Sequence, residues 1–383
     1  MKHNAMHGRP ALACVHRAAL WLVPVLALWL ALGLLPAGAQ GVPGVDSPPA
    51  TERSLLQWLE RLHEAGRSRS YVGTFVVSSA HGQMASARIA HVCDGRQQIE
   101  HVEALTGPAR QTFRRDSEVV TFLPHRRLVV SEQRDSLQVF PQRLRAAHAG
   151  IADHYSLRRL GMDRVAGFDA DIIQLEPRDA MRFGYRIWSE QRTGLVMRMQ
   201  TLAADGRVLE QAAFSELRLD APVRMERLAR LMARTEGYRV HRLEPQKTTP
   251  EAEGWALRQP VPGFESTGCQ RRRVERGMPA DTSAADAAGS ARSYEGAMQW
   301  TFSDGLATVS LFIEPFDRQR HAQEVTHGSG ATQLITRRLA GSPAAAVTAA
   351  IAAPEAASWW LTAVGEVPVA TLEAFARGLE RRR

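Results

Sequence analysis

The feature that most constrains this chain is a series of short apolar and β-branched segments separated by turn residues. Three such runs lie between residues 164 and 209. The first ends at Pro177, the second spans 183–188 and is followed by the turn residues Thr193-Gly194, and the third ends at Asp205-Gly206. Runs of this length between turn residues are typical of antiparallel strands joined by tight turns. The segment is therefore predicted to be a β-meander, and one face of such a sheet must be covered by another layer.

The same pattern extends on both sides of the meander. It predicts further strands at 71–78, 85–93, 98–105, 111–115, 119–123, 128–132 and 208–219. Before them, apolar residues recur at helical spacing from Leu55 to Ala65, with Thr51 as the expected N-cap and Gly66 as the expected stop. Residues 140–160 are interpreted as helix or irregular loop. The economical arrangement is mainly β: a curved, unclosed antiparallel barrel with covering helices, over residues 51–222.

A second, smaller α+β domain is predicted at 254–383, after a connector at 223–253. The connector should begin with a helix, because apolar residues repeat at helical spacing from Met225 to Met232. The domain contains predicted strands at 298–302 and 307–314 and a final helix at 369–377. Small residues without periodicity at 277–292 predict a mobile inserted loop, whereas 342–357 matches no element.

The amino-terminal residues have the pattern of a secretory signal peptide. Residues 1–17 carry Lys2, Arg9 and Arg17 and no acid, an apolar run follows to Leu35, and Ala37-Gly38-Ala39 provides small residues for cleavage before Gln40. An uncleaved membrane anchor is the alternative, because the apolar run approaches the length of a membrane span. Cleavage places the mature chain in the periplasm, where residues 40–50 are expected to form a flexible leader.

The charge pattern gives no indication of nucleic-acid binding. Removal of the signal peptide lowers the formal net charge from +8 to +5, and arginine supplies almost all of the cations. These arginines alternate with acidic residues along the chain, and they do not form one long basic run. No nucleic-acid partner is therefore expected.

The search for catalytic motifs does not support an enzyme. The sequence contains no GxSxG, GxxxxGK[ST], HExxH or GxGxxG motif. Glu176, Arg178 and Asp179 follow a predicted strand and are interpreted as a charged turn that pairs internally. Ser303-Asp304-Gly305 has the composition of a tight turn, and this interpretation is preferred to a nucleophile.

Metal and disulfide sites are likewise not predicted. His91, Cys93 and His101 could approach one another across the turn at Asp94-Gly95, but they lack a fourth ligand and the spacing of a zinc site. An oxidising compartment would permit a bridge between Cys93 and Cys269. The two are interpreted as separate thiols, because they lie in different predicted domains.

The meander also suggests a ligand-binding surface. If Thr193-Gly194 is a two-residue turn, residue 188 faces 199, and Trp188, Met197 and Met199 share one face. Methionine adapts its shape to irregular apolar partners, so this patch would suit an acyl chain or an apolar peptide. The alternative interpretation is that these side chains are ordinary core.

Four sequence blocks, taken together and in this order along the chain, resemble a known protein family. They are Tyr71-Val72-Gly73-Thr74-Phe75-Val76 with Arg88-Ile89-Ala90-His91; the meander from Arg164 to Leu209; Phe302-Ser303-Asp304-Gly305-Leu306; and Val364-Gly365-Glu366-Val367-Pro368. Together they resemble the RseB/MucB family of periplasmic stress-response regulators. The resemblance implies a large N-terminal domain similar to the LolA/LolB lipoprotein carriers, which form an unclosed barrel with a hydrophobic cavity.

The resemblance also implies a function. The chain is expected to bind the periplasmic segment of a membrane-spanning anti-sigma factor (RseA or MucA) and to shield it from the protease that starts the envelope-stress cascade. Lipopolysaccharide or mislocalised lipoprotein is expected to loosen this grip. No cofactor and no metal is implied, and oligomerisation is left open.

Candidate site residues follow from the strand pattern and the two-domain arrangement. The barrel is expected to bind acyl chains through Phe75, Trp188, Met197 and Met199. The second domain is expected to bind the partner around Phe264, Phe302 and Phe312. A lipoprotein or lipid carrier of the LolA/LolB type is the alternative function, because a carrier needs only the barrel.

Overall fold

The N-terminal part of the protein forms one long, unclosed sheet, which is antiparallel except where its edge strand Arg239–Leu243 runs parallel to Leu128–Gln133. The computed structural model describes residues 53–133, 140–142, 150–271, 297–321, 323–339 and 358–382. The strands of this sheet are β1 (Tyr71–Ser79), β2 (Met84–Cys93), β3 (Gln98–Ala104), β4 (Gln111–Arg115), β5 (Glu118–Leu123), β6 (Leu128–Gln133), β7 (Tyr155–Val165), β8 (Phe168–Pro177), β9 (Gly184–Glu190), β10 (Val196–Leu202), β11 (Val208–Leu219) and β12 (Arg239–Leu243). Their spatial order is β12-β6-β5-β4-β3-β2-β1-β11-β10-β9-β8-β7, so β12 and β7 form the two edges.

One face of this sheet, called here the inner face, is covered by helix α1 (Leu55–Ser68). The inner face carries Phe75 and Met199, because Ala212 pairs both with Val77 of β1 and with Met199 of β10. Trp58, Leu59 and Leu62 of α1 recur at helical spacing and pack into the same apolar cluster.

The start of α1 is fixed by a capping box. The Ser54 hydroxyl accepts from the Gln57 backbone N–H at 3.3 Å, and the Ser54 backbone N–H donates to the Gln57 side chain at 2.8 Å. Ser54 and not Thr51 is therefore the cap of this helix, and Thr51 lies outside the described residues. Gly66 does not stop the helix, which continues to Ser68, and the Gly66 carbonyl accepts from the Gln142 side-chain amide at 2.7 Å.

The opposite, outer face is covered near β2–β6 by helix α3 (Met225–Ala233). Leu228 of α3 packs with Val92 and Ile99, and Met232 packs with the cluster around Phe113. After α3 the chain adds β12 in parallel to β6, with Arg239 opposite Leu128. The helix predicted from 224 onward is thus confirmed, and it packs on the first sheet.

The described part of the second domain contains a smaller sheet with a helix packed on it. Its strands are β13 (Gln246–Lys247), β15 (Glu265–Arg271), β16 (Met298–Ser303), β17 (Thr308–Pro315), β18 (Thr326–Ser329), β19 (Thr332–Leu339) and β20 (Trp359–Gly365), in the order β13-β15-β16-β17-β20-β19-β18. Helix α4 (Val369–Gly378) packs Leu372 and Phe375 into the core, and β14 (Trp255–Leu257) pairs with β21 (Leu379–Arg381).

Most predicted elements are confirmed, and one interval is wrong in part. Residues 140–160 were expected to be helix or loop. Among the residues of this interval that the structure describes, Ile151–His154 (α2) is helical, and strand β7 already begins at Tyr155. Tyr155 and Leu157 pair with Pro177 and Leu175, so strand alternation starts there. The predicted signal peptide, the leader, the loop 277–292 and the stretch 342–357 lie outside the described residues.

Candidate functional site

The inner face of the first sheet carries a large cluster of buried apolar side chains. Phe75 and Met199 are 5% and 6% exposed, and Met197 is fully buried. The ring of Phe140 lies 5.5 Å from that of Phe75 and 4.9 Å from that of Phe214. The inner face is therefore filled by the protein's own side chains, from α1 on one side and Phe140 on the other.

The predicted register of the meander is wrong by one residue. Trp188 pairs with Arg198, and Met199 pairs with Ile187, so Trp188 and Met199 lie on opposite faces. The cause is an irregularity between Val196 and Arg198, together with a longer turn. In that turn the Glu190 N–H donates to the Leu195 carbonyl, and the Gly194 N–H donates to the Glu190 carbonyl. Trp188 is buried on the outer face, where the Arg198 guanidinium lies 4.3 Å from its ring and Asp163 accepts its indole N–H at 3.1 Å.

A turn of the second domain reaches the same inner-face cluster. Leu306, in the β16–β17 turn, packs against the cluster. Asp304 shapes this turn, because its Oδ1 accepts the backbone N–H groups of Leu306 and Ala307 at 2.9 and 2.7 Å. The prediction that Ser303-Asp304-Gly305 forms a tight turn is confirmed, and the turn also carries a contact between the domains.

That contact is a buried ion pair between Arg182 and Asp304. Arg182 Nε lies 2.8 Å from Asp304 Oδ2, and both side chains are fully buried. Arg182 also donates to Asp179 and to the Pro262 carbonyl, and its guanidinium lies 4.8 Å from the Phe264 ring centroid. One arginine from the β8–β9 loop thus holds two separate segments of the second domain.

Tyr155 completes the cluster from the inner face. Its hydroxyl donates to Asp304 Oδ2 at 3.2 Å, and burial raises its pKa well above the ordinary value. Gly263 permits the close approach: its φ is +75°, and a Cβ there would lie 2.2 Å from His154 Nε2. The group formed by Tyr155, Asp179, Arg182 and Asp304 is called here the interdomain latch.

A second contact joins the domains next to the start of β9, through Phe183, the residue that follows Arg182. Ala331, in the β18–β19 turn, packs with Phe183 and Leu209 of the first sheet. Ser329 donates to the Gln83 side chain at 2.9 Å. Together with Thr371, which donates to the Met181 carbonyl at 2.7 Å, this contact holds the second domain at several points.

The predicted partner-binding aromatics do not share one surface. Phe264 and Phe302 are 7% and 3% exposed, and both pack on Phe375 of α4 in the core of the second domain. Phe312 is half-buried and lies on the other face of the sheet, where it pairs with Gln299 and Thr362. A role of these three residues in partner binding stays a prediction.

The polar groups considered for chemistry are dispersed. Glu176 pairs with Arg158 at 2.8 Å, Arg178 donates to the Ala152 carbonyl, and Asp179 joins the latch. They therefore pair with different neighbours, and the interpretation as a single internally paired turn is wrong.

The residues considered for a metal site or a disulfide are also separated. His91 pairs with Glu100, whereas His101 pairs with Ala90, so the two histidines lie on opposite faces of β2–β3. Cys93 and Cys269 are free thiols in different sheets. Burial raises the pKa of Cys269 to about 11.

A buried acid–histidine pair lies in the second domain, away from the latch. His321 stacks on Trp360 with ring centroids 4.8 Å apart, accepts the Asp317 backbone N–H at Nδ1, and places Nε2 3.2 Å from Glu314 Oε1. Arg320 lies 3.2 Å from Glu314 Oε2. Burial raises the pKa of Glu314 to about 7 and lowers that of His321.

We expect this pair to make stability depend on pH. In the folded protein Glu314 keeps its proton up to about pH 7, whereas in the unfolded chain it loses the proton near pH 4.5. The folded state therefore becomes less favoured as the pH rises from about 4.5 to about 7. Glu314→Gln removes this loss. As the pH rises from 5 to 8, the unfolding free energy of the wild type should fall by about 1 kcal/mol or more relative to that of the variant. Parallel pH profiles in urea unfolding would contradict this.

In the part of the chain that the structure describes, no helix is long and apolar enough to cross a membrane.

Comparison with models of protein families identifies the family of this chain. The model of the MucB/RseB N-terminal domain matches residues 54–232, and that of the MucB/RseB C-terminal domain matches residues 249–380. The chain belongs to the MucB/RseB family. The predicted resemblance is thereby confirmed, and the two family domains correspond to the two large sheets, with α3 in the first match.

Individual MucB/RseB proteins are similar over long stretches. The sigma factor AlgU regulatory protein MucB of Pseudomonas aeruginosa is 28% identical over 345 residues, which cover 90% of this chain and 94% of the relative. The sigma-E factor regulatory protein RseB of Haemophilus influenzae is 27% identical over 175 residues, 46% of this chain and 55% of the relative.

Solved MucB structures share the fold. The complex of Pseudomonas aeruginosa MucA and MucB contains a chain with a TM-score of 0.60 and 25% identity, over 86% of this chain and 99% of that chain. A crystal structure of MucB in complex with MucA(peri) gives a TM-score of 0.59, over 85% and 98% of the respective chains. The predicted fold, an unclosed β domain with a smaller second domain, is confirmed.

The sequence did not predict the interdomain latch, although Asp304, one of its residues, lies in a motif that carries the MucB/RseB resemblance. Asp304 lies within one motif block and was assigned only to a turn. Arg182 precedes the aromatic strand of the meander, and 122 positions separate it from Asp304. A local pattern gives no information on which distant residue an arginine meets, so only the three-dimensional structure identifies the pair.

Proposed function

We propose that this protein is a periplasmic negative regulator of an envelope-stress sigma factor. It binds the periplasmic segment of a membrane-spanning anti-sigma factor and shields that segment from the protease that starts the response. The observation that carries the proposal is the match of both family domains, together with similarity to MucB of MucA/MucB complexes over 86% of this chain. The protein acts as a binding protein without catalytic turnover.

Release of the partner is proposed to depend on an acyl ligand, from lipopolysaccharide or a mislocalised lipoprotein. The inner face supports this, because its apolar cluster contains Phe75, Met197 and Met199 and lies under α1 on an unclosed sheet. Trp188 lies on the outer face, so the proposed lining is narrowed to the other three residues.

The latch offers a physical route from the ligand to the partner. Tyr155 belongs to the inner-face cluster and also donates to Asp304, and Leu306 packs against that cluster from the second domain. An acyl chain that displaces inner-face side chains therefore acts on the residues that hold the second domain. A ligand shifts such an equilibrium only by its difference in affinity for the two arrangements.

The second domain is proposed to contribute to the grip on the anti-sigma segment through β16 and β17. Phe312→Ser should weaken binding of that segment by about tenfold or more, because a central aromatic contact is worth about 1–2 kcal/mol or more. Its melting temperature should stay close to that of the wild type. Phe302→Ala is the matched control for a core residue, and it should lower stability by about 3–5 kcal/mol. Unchanged binding by Phe312→Ser would remove this residue from the interface.

We propose a periplasmic location for the mature protein. We expect the mature protein to begin at or near Gln40 and to be recovered from the periplasm, because of the basic start, the apolar run and Ala37-Gly38-Ala39. Amino-terminal sequencing of fractionated protein measures this. An intact Met1 in the membrane pellet would contradict it.

The proposed function is tested by affinity capture from an envelope extract with the purified mature protein as bait. Recovery of a single-pass anti-sigma factor is the expected result. Recovery of lipoproteins without an anti-sigma factor would replace the proposal with a carrier of the LolA/LolB type.

A further inference from the structure

The inner face carries a row of buried polar side chains beside its aromatic cluster. Tyr71, His91, Glu100 and Arg114 are successive cross-strand partners on β1, β2, β3 and β4, on the same face as Phe75. None is more than 3% exposed. Four polar groups in an otherwise apolar face are costly to bury unless each has a hydrogen-bond partner.

The row is completed by Gln142. Arg114 Nη2 donates to Gln142 Oε1 at 3.0 Å, and Gln142 Nε2 donates to the Gly66 carbonyl of α1 at 2.7 Å. A Cβ on Gly66 would lie 3.3 Å from Gln142 Cγ, so glycine favours this approach. Two residues earlier, Phe140 packs on Phe75 and Phe214. The short segment 140–142 therefore places an apolar group on the aromatic cluster and an amide on Arg114.

The charges of Glu100 and Arg114 determine which chemical group could take the place of the Gln142 side-chain amide. Arg114 Nε is already paired with Glu100 Oε2 at 3.2 Å, so the two buried groups together are neutral. Glu100 Oε1 has no hydrogen-bond partner among the described residues. A second buried anion would lie close to this carboxylate and would be repelled. A neutral group with both a carbonyl and an N–H fits the donors and acceptors that are present.

We propose that this row is the polar end of the acyl site and that it takes acyl chains joined through a secondary amide. The ligand carbonyl accepts from Arg114 Nη2, and its N–H donates to the Gly66 carbonyl or to Glu100 Oε1. The acyl chain replaces Phe140 on Phe75 and Phe214, and the ligand amide replaces that of Gln142. This inference rests on the acyl binding proposed above, and adds the chemistry that selects the ligand.

The test compares three probes of equal chain length on the full mature protein. N-tetradecanoylglycinamide, methyl tetradecanoate and tetradecanoate compete against a fluorescent acyl probe. The amide should bind about tenfold more tightly than the ester, which cannot donate to Gly66 or Glu100, and the carboxylate should bind more weakly than the amide by a similar or larger factor.

Glu100→Gln distinguishes a selecting role from a structural one. The substitution leaves Arg114 as an unopposed cation, so the carboxylate should gain at least about tenfold and overtake the ester. Gln142→Leu removes the competing amide and should tighten binding of the amide probe. Equal affinity of the three probes for the wild type, or an unchanged ranking in Glu100→Gln, would overturn the inference and leave acyl binding intact. Failure of all three probes to bind would refute both.

Two sources of such an amide can be separated in the same assay. An N-acylated glucosamine represents the acyl amide of a glycolipid, and an N-acylated peptide represents the amino terminus of a lipoprotein. Either one binding more tightly than its ester counterpart supports the inference, and their ratio identifies the source. Weaker binding of both than of the esters would contradict it.

Discussion

Replacement of Arg182 by methionine should lower the unfolding free energy of the protein by about 3–5 kcal/mol, as removal of one partner of a buried ion pair does. Asp304 would then remain fully buried without its cation, and the Pro262 carbonyl would lose its donor. The hydrophobic core of neither domain is altered by the change. Urea unfolding followed by tryptophan fluorescence measures the loss, and hydrogen exchange at 303–307 should show the turn opening.

Two further variants make this result specific. Arg158→Met breaks the exposed pair with Glu176, and it should cost about 0–1 kcal/mol because solvent screens that pair. Combining Arg182→Met with Asp304→Asn removes the unpaired charge, and it should recover a large part of the lost stability. If Arg182→Met proves as stable as Arg158→Met, the latch does not hold the domains together.

The second large effect is expected in the dependence of ligand affinity on chain length. Each methylene buried on an apolar surface contributes about 0.8 kcal/mol, so affinity should rise about fourfold per added methylene until the inner face is full. The ligand must displace Phe140 or part of α1, and this lowers every affinity in the series by a common factor. Titration with amide-linked acyl chains of increasing length measures the slope and the plateau.

Variants on the two faces of the meander test the lining. Met199→Ser changes the inner face and should weaken binding of long chains, whereas Trp188→Leu changes the outer face and should leave it unchanged. Circular dichroism confirms that both variants are folded. Equal binding of short and long chains, or loss of binding in Trp188→Leu alone, would contradict an acyl site on the inner face.

The sequence was sufficient to predict the strands because each carries its own signal. Alternation from Tyr71 to Leu219 and turn residues such as Asp94-Gly95 act locally, and the resulting strands match the structure closely. Register is less secure, because one extra residue reverses the face of every side chain that follows. The irregularity next to Met197 did this to Trp188.

Contacts between distant residues could not be predicted. The pairing of Arg182 with Asp304, and of Arg114 with Glu100 and Gln142, joins residues whose neighbours in sequence give no hint of the partner. The same holds for the edge strand β12, which joins the first sheet from a segment interpreted as a connector. The family resemblance supplied the function that these local patterns do not contain.

The most direct test of the account is a protection assay with purified components. The periplasmic segment of the anti-sigma factor from the same organism is incubated with its initiating protease, with and without a saturating amount of this protein. Cleavage should slow at least about tenfold in its presence and recover when an amide-linked acyl ligand is added, as expected for two sites that are coupled by 1–3 kcal/mol. An unchanged cleavage rate, with binding saturated, would contradict the proposal that this protein restrains the stress response.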